Sequence, residues 1–306
     1  MGKNCREFIN GWINLDKPRG ITSAKAVGVV RRGLNASKAG HAGTLDPLAS
    51  GVLPIALGEA TKTVSFMVGK SKTYEFSLKW GVETSTDDVE GHVVNTSDYM
   101  PGAQEIKRAL QDFIGEIYQV PPMYSAIKIR GERAYSLARK AKLKDKVQEL
   151  PPRKVKVNEF RLLDITSDGA RFFVDCGKGT YIRALARDLA RKIGTVGHVT
   201  NLRRNSVGSF FVENAISLDF FERLPHSAAA VTHLRPVISA LDDIPAFSIS
   251  GKEATKLRHG QTLPAHNDRF KSLANGVPGI AIQDKSPVAL IILKAGVVRP
   301  VRVLNI

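Results

Sequence analysis

The sequence predicts a mixed α+β protein, and three patterns carry that prediction. Lys72 to Trp80 alternates, with Tyr74, Phe76, Leu78 and Trp80 on one face and Glu75, Ser77 and Lys79 on the other. That is the period of a half-buried strand. Residues 104–114 and Tyr181–Ile193 instead repeat at helical spacing, with Ile106, Leu110 and Phe113 on one stripe and Ile182, Leu185, Leu189 and Ile193 on the other. After Pro236 the pattern restarts as short apolar runs, which predicts a small β-rich unit.

In chain order, residues 11–16 read as a short strand. Thr22 or Ser23 can cap a helix over 24–33 that Gly33 ends. From His41 to Gly58 the only charge is Asp46, and Gly43, Pro47, Gly51 and Pro54 interrupt any regular element. Most of this stretch is therefore expected to be loop, with Leu45, Leu48, Val52, Leu53 and Ile55 anchoring it on a core. Pro47 biases Asp46 toward extended backbone. The strand at 72–80 and the helix at 104–114 follow.

Between Lys128 and Lys156 eleven basic residues face three acidic ones. About half of the net charge of the chain lies there. Residues 132–143 are expected to form a basic helix, and Tyr124 and Tyr135 lie among the cations, where they can stack on bases. Pro151-Pro152 ends the excursion. Val155–Ile165 and Arg171–Cys176 read as strands, Tyr181–Ile193 as a helix stopped by Gly194, and Ser209–Val212 as a further strand. In the C-terminal part, Phe247–Ile249 reads as a strand, 251–258 as a short helix, and 278–283, 288–294 and 299–304 as strands.

Composition narrows the function classes. The 306 residues are 43% hydrophobic and 24% charged, ordinary for a globular protein, but the formal net charge is +16. Such an excess favours a polyanionic partner, nucleic acid or an anionic membrane surface. Cys5 and Cys176 make neither a disulfide framework nor a metal cluster, and the seven histidines show no ligand spacing. No apolar run approaches membrane-spanning length, no signal core follows Met1, and Arg6 stands where myristoylation wants Ser or Thr. A cytoplasmic location is expected.

Read by residue type alone, Asp46-Pro47 is a turn initiator on an apolar loop. The whole run His41-Ala42-Gly43-Thr44-Leu45-Asp46-Pro47-Leu48-Ala49-Ser50-Gly51-Val52-Leu53-Pro54, continued by Leu57-Gly58-Glu59-Ala60-Thr61-Lys62, says more. It resembles the nucleophile segment of the TruB family of tRNA pseudouridine synthases. Further matches keep the family's order: Asn14-Leu15-Asp16-Lys17-Pro18 before it, then Lys72-Thr73-Tyr74 and Pro122-Met123-Tyr124-Ser125-Ala126-Ile127-Lys128. Lys178-Gly179-Thr180-Tyr181-Ile182-Arg183, Gly197-His198-Val199 and Leu202-Arg203-Arg204 complete the set. The resemblance spans about Gly11 to Val212.

The resemblance implies a pseudouridine-synthase-like fold, a largely antiparallel sheet flanked by helices. It implies a catalytic domain over 1–236 with a basic RNA-binding insertion at about 124–154, and a small PUA-like RNA-binding domain over 237–306. The implied reaction isomerises uridine to pseudouridine at position 55, in the T-arm loop of tRNA, and needs neither metal nor cofactor. It breaks the N1–C1′ bond, turns the base and rejoins it through C5. By the same resemblance Asp46 is the carboxylate that attacks C1′ or promotes loss of the C2′ proton. Tyr74 packs on the target base, Arg183 pairs with Asp46, and Tyr181 and Leu202 wall the base pocket. His41 fills the space left by the flipped nucleotide, a structural role, and Lys17 steadies the loop. Alone, Tyr74 reads as a core aromatic and Arg183 as a solvent-facing helix residue.

One motif departs from the family. Thr-Asp-Thr is common after the Tyr74 strand, where this chain has Thr84-Ser85-Thr86 followed by Asp87-Asp88. Asp87 or Asp88 is expected to stand in. Among the rivals, a P-loop fails because Val64 occupies the first glycine position before Gly69-Lys70-Ser71, and a glycosidase wants two carboxylates where this segment offers one. The remaining alternative is a non-catalytic tRNA-binding or tRNA-folding protein on the same scaffold. A monomer without an obligate protein partner is expected.

Overall fold

The computed structural model describes residues 7–124, 128–129, 132–133, 150–223, 228–265 and 268–306. Its main sheet has ten strands: β1 (Gly11–Lys17), β2 (Ala39–His41), β3 (Ala49–Leu57), β4 (Lys72–Trp80), β5 (Gly115–Gln119), β6 (Arg153–Ile165), β7 (Gly169–Cys176), β8 (Gly197–Val207), β9 (Phe210–Phe211) and β10 (Ile216–Ser217). The order is β10-β1-β3-β8-β4-β7-β6-β5, with β2 against β3 and β9 against β8. Only β1–β10 and β3–β8 pair parallel, so the sheet is largely antiparallel, as expected.

Helices α1 (Ser23–Gly33), α3 (Ala103–Leu110) and α4 (Ile182–Ile193) bury their apolar stripes on one face of this sheet; the short α2 (Val64–Gly69) does not. Thr22 caps α1 by accepting a hydrogen bond from the Lys25 N–H at 3.1 Å, and Gly194 ends α4 in the left-handed conformation. The alternation of β4 places Phe76 in the helix-side core, stacked on Phe172 at 5.2 Å and near Phe160 at 5.9 Å.

The stretch expected to be loop is corrected at its second half: Ala49–Leu57 is the strand β3. Its residues bury both ways. Leu53 and Ile55 join the helix-side core, while Val52 and Ala56 join a second cluster with Trp12, Met67, Phe210, Leu241, Ile280 and Leu290. A strand covered on both faces shows no polar alternation, so its period is hidden. Gly51 and Pro54 fit because of where they fall. Gly51 has φ +102°, and a Cβ there would lie 2.2 Å from the Arg204 carbonyl oxygen of the parallel neighbour β8. Pro54 sits where the second neighbour of β3 changes from β8 to β2, so its missing N–H costs no ladder bond.

Beyond Pro236 a separate five-stranded sheet forms from β11 (Ala246–Ser248), β12 (Leu263–Pro264), β13 (Pro278–Gln283), β14 (Ser286–Lys294) and β15 (Val297–Val303), in the order β11-β13-β14-β15-β12. Helix Gly251–Arg258 starts with a Ser250–Glu253 capping box and packs on it. Lys62 Nζ donates to the Val303 carbonyl at 2.8 Å, and Glu59 accepts from the Asn305 N–H at 2.7 Å, which pins the chain end to the segment after β3. Apart from Glu132–Arg133, which pair with Lys128–Ile129 as short strands, the expected basic helix over 132–143 lies outside the described residues. No helix among the described residues is long and apolar enough to cross a membrane.

Because backbone of β8 fills the space beside Gly51, Gly51→Ala is expected to cost more than about 2 kcal/mol. Gly40 has nothing within 4 Å of its would-be Cβ, so Gly40→Ala is expected to stay within about 0.5 kcal/mol. Urea unfolding of the two variants checks both.

Candidate active site

Between β2 and β3 the chain runs as an open loop, and almost every peptide group in it is tied down. The Ala42 N–H donates to the Pro54 carbonyl at 2.9 Å. Arg204 Nη2 donates to the Gly43 carbonyl at 3.0 Å. The Ser23 hydroxyl accepts from the Leu45 N–H and donates to the Leu45 carbonyl, both at 2.9 Å. The Gly20 N–H reaches the Pro47 carbonyl at 2.7 Å, and the Ala49 N–H closes a turn on the Asp46 carbonyl at 3.1 Å. Leu45 and Leu48 are buried beneath. The loop thereby holds the Asp46 carboxylate facing outward, its side chain 36% exposed, beside the exposed Thr44.

Across from it, Arg183 sits in the first turn of α4 and is almost fully buried. Its Nη2 lies 2.8 Å from Asp46 Oδ2 and also donates to the Tyr124 carbonyl at 2.9 Å. Its Nη1 donates to the Thr86 carbonyl at 2.8 Å and lies 3.3 Å from Asp88 Oδ2. The rest of the helix repeats the device. Arg187 pairs with Asp87 at 3.0 Å and Arg191 with Glu83 at 2.5 Å, so three arginines at i, i+4 and i+8 grip one acidic segment. Arg183 is thus no solvent-facing residue, and Asp88 is the carboxylate of the departing motif that reaches it. Asp88 is itself held by the Thr86 hydroxyl at 2.5 Å and the Glu90 N–H at 3.0 Å.

Asp46, Arg183, Tyr74, Tyr181 and Leu202 share one cavity of about 220 Å³, floored by Lys72 and Arg204. Tyr74 points inward from β4, and burial pushes its phenol above the usual range, so it is a neutral donor at physiological pH. Leu202 enters from β8, opposite Phe76. Tyr181 precedes α4, and its backbone is clamped by Gln119, whose amide accepts from the Tyr181 N–H at 2.8 Å and donates to its carbonyl at 3.1 Å.

Lys17 and His41 are not in the cavity wall. Lys17, fully buried, donates to the Pro18 and Ile21 carbonyls at 2.8 and 2.9 Å, shaping the turn whose Gly20 binds Pro47. Burial lowers its amine to about 8, partly offset by the Asp46 charge. His41 ends β2; burial, helped by the Arg204 charge, lowers its imidazole, and its Nδ1 is buried with no hydrogen-bond partner among the described residues. No group of three His, Cys, Asp or Glu among the described residues is placed to hold a metal ion.

The TruB family pseudouridylate synthase N-terminal model matches residues 31–182, and the tRNA pseudouridylate synthase B C-terminal model matches residues 183–244. The chain belongs to the TruB family. It is 46% identical to the tRNA pseudouridine synthase B of Caulobacter vibrioides, over 98% of this chain and 97% of that protein. The tRNA pseudouridine synthase B of Rhodospirillum rubrum is 47% identical over 98% of each, and that of Ehrlichia canis 43% over 97% and 98%. Among solved structures, a Cbf5-Nop10-Gar1 complex contains a chain that is 26% identical, with a TM-score of 0.72, over 97% of this chain and 85% of that one. An H/ACA RNP bound to a substrate RNA containing 2′-deoxyuridine contains another, 25% identical with a TM-score of 0.70. As a member of the TruB family the chain is a pseudouridine synthase, an isomerase.

Sequence reading of the TruB motifs assigned no role to Lys72 or Arg204. Both lie inside quoted motif segments, but nothing in a linear sequence signals that a lysine opening a strand and an arginine near the end of another meet under one loop. Arg204, 1% exposed, spans Val52 and Gly43, giving 2.7 Å to the Val52 carbonyl. Gly43 itself has φ +93°, a left-handed conformation that glycine adopts without strain.

Two outcomes follow from this geometry. Ser23→Ala removes both hydrogen bonds on Leu45 and is expected to cost about 1–3 kcal/mol in urea unfolding, with a fall in activity that exceeds any loss of RNA affinity. The second concerns pH. With its folded-state amine near 8, Lys17 binds fewer protons folded than unfolded from about pH 8 up to the ordinary lysine range. Folding stability therefore rises with pH across that window. The destabilisation caused by Lys17→Met is expected to grow between pH 7.5 and 9.5, as measured by paired urea melts.

Proposed function

We propose that this cavity isomerises uridine 55 in the T-arm loop of tRNA, with Asp46 acting on a nucleotide flipped out of its stack. One observation carries the reading: Asp46 is the single carboxylate in the cavity wall among the described residues, and a buried arginine holds it in place. Glycoside hydrolysis needs two facing carboxylates. Transfer of a base from N1 to C5 needs one, together with a closed pocket that keeps the freed base. Asp46 either attacks C1′ or draws off the C2′ proton. The neutral phenol of Tyr74 lies against the base, Tyr181 and Leu202 flank it, and His41 props the RNA at the loop entrance. Lys17 acts only through the turn that supports the loop.

RNA would be drawn in by the basic composition of residues 128–156. The exposed Lys252, Lys256 and Arg258 on the helix of the C-terminal sheet, with His259 at its C-cap, would extend the contact, as expected of a PUA-like unit over 237–306. All the groups named lie on one chain, so no second subunit or accessory protein enters the proposal.

Incubation of the purified protein with an unmodified tRNA transcript, without added metal or nucleotide, tests the reading. Conversion of the T-loop uridine is expected, and Asp46→Asn should lower the rate at least ~10³-fold while keeping RNA affinity within a few-fold. Wild-type protein that binds the transcript and forms no pseudouridine would leave a binding protein on a synthase scaffold. His41→Ala is expected to cost much less than Asp46→Asn. Affinity should drop on the order of 10³-fold between 50 and 200 mM salt, as about six phosphate contacts would give; a flat response would count against the basic segment.

A further inference from the structure

Lys72 is 6% exposed, and among the described residues no carboxylate lies within ion-pair distance of its Nζ. Two of its three N–H groups are used, one on the Val68 carbonyl at 2.9 Å and one on the Lys70 carbonyl at 2.5 Å. The third has no partner among the described residues, and the side chain lines the cavity. Buried lysines are rare unless paired, because an isolated charge loses its hydration without return.

The surroundings sharpen the oddity. Burial, reinforced by the charge of Arg204, lowers the Lys72 amine to about 8, and Arg204 is another buried cation with no carboxylate partner among the described residues. The neighbouring ionisable groups do not neutralise the pair. Burial raises the Tyr74 phenol and pushes the Cys176 thiol to about 12, so both are uncharged. Asp46 is engaged by Arg183. The cavity floor thus carries uncompensated positive charge beneath a pocket that, on the function proposed above, receives a neutral base.

We propose that Lys72 is a further catalytic residue, which stabilises the negative charge that the uracil carries between leaving N1–C1′ and rejoining through C5. The charge accounting is the same on either route. When N1–C1′ breaks, its electron pair stays with the base, giving a uracil anion delocalised over N1 and the two carbonyl oxygens. C1′ is meanwhile bonded by an Asp46 oxygen, or becomes part of a C1′=C2′ double bond after the C2′ proton is lost to Asp46. The base turns and C5 bonds C1′ as the Asp46–C1′ bond breaks and frees the carboxylate, or as C2′ takes its proton back from Asp46; the C5 proton then leaves and N1 gains one, so uridine and pseudouridine differ by no atoms. Only the intermediate stage is anionic. A donor with a free N–H and no counter-ion serves that stage more than the neutral ones, which is the condition for accelerating the reaction. The inference rests on the synthase reading, since without glycosidic cleavage no anion forms.

Single-turnover kinetics of wild type, Lys72→Met and Lys72→Arg test it, on a tRNA carrying uridine and on one carrying 5-fluorouridine at the target. Fluorine makes the base a better leaving group that needs less help. With uridine, Lys72→Met is expected to be slower by ~10²-fold or more, with tRNA affinity within threefold and Lys72→Arg intermediate. With 5-fluorouridine, followed as loss of the starting nucleoside, the deficit should shrink at least tenfold. Equal deficits on both bases would overturn the proposal in favour of a structural role. A loss confined to affinity would assign Lys72 to a phosphate, and an unchanged rate would remove it from the chemistry. Should Lys72→Met fail to fold by thermal melting, the ratio of the two substrates' rates in Lys72→Arg against wild type decides: a changed ratio supports the proposal and an unchanged one overturns it. Inactive wild type on uridine would instead sink the synthase reading itself.

Discussion

Arg183 is the point on which the site turns. A guanidinium with its side chain only 4% exposed has surrendered its hydration, and it recovers the cost only because four acceptors surround it. Those acceptors come from three separate stretches of chain: the Asp46 loop, the Thr86–Asp88 segment, which supplies two of them, and Tyr124. Each is thereby fixed relative to the first turn of α4. Removing one partner of such a buried pair typically costs about 3–5 kcal/mol, because the other charge is left stranded. The fold must therefore bring these segments together before the carboxylate has an orientation.

Arg204 does for the backbone what Arg183 does for the carboxylate. It leaves β8 and takes carbonyls from β3 and from the loop before it, so the loop cannot move without the sheet. Gly51 makes room beside the Arg204 backbone, and Gly43 takes the left-handed conformation that aims its carbonyl at the guanidinium. The loop's remaining peptide groups end on Ser23, Gly20 and Pro54, which belong to α1, the turn before it, and β3. An aspartate on a loop is ordinarily mobile. Here the scaffold removes that freedom in advance, as preorganised catalysis requires.

Much of the fold was legible. The alternation at Tyr74, Phe76, Leu78 and Trp80, the stripe of α4 with its Gly194 stop, the start of α1 at Thr22-Ser23 and the helix at 251–258 all followed from local periodicity and turn chemistry, while the choice of Thr22 over Ser23 as the cap did not. Two central strands did not. β3 is apolar on both faces and contains glycine and proline, so it looked like loop. β8 was not assigned as an element, because His198, Asn201 and Arg204 interrupt its apolar positions. His198 gives its ring Nδ1 to contact with the Val82 carbonyl at 2.7 Å, and Arg204 is spent on two carbonyls. Those partners are more than a hundred residues away, and no window of sequence contains both ends.

The sequence by itself determined the class of fold, the basic character that selects a polyanion, and, through the run around Asp46, the family. It did so because those properties are carried by local spacing, by summed charge, and by motifs whose residues are contiguous. Tertiary structure alone decided which carboxylate reaches Arg183, that Asp88 rather than Asp87 stands beside it, and that Lys72 and Arg204 lie unneutralised beneath the pocket. Burial is the physical reason. The strength of a charge in this site depends on which distant groups have displaced water from around it, and that is settled only when the chain has closed on itself.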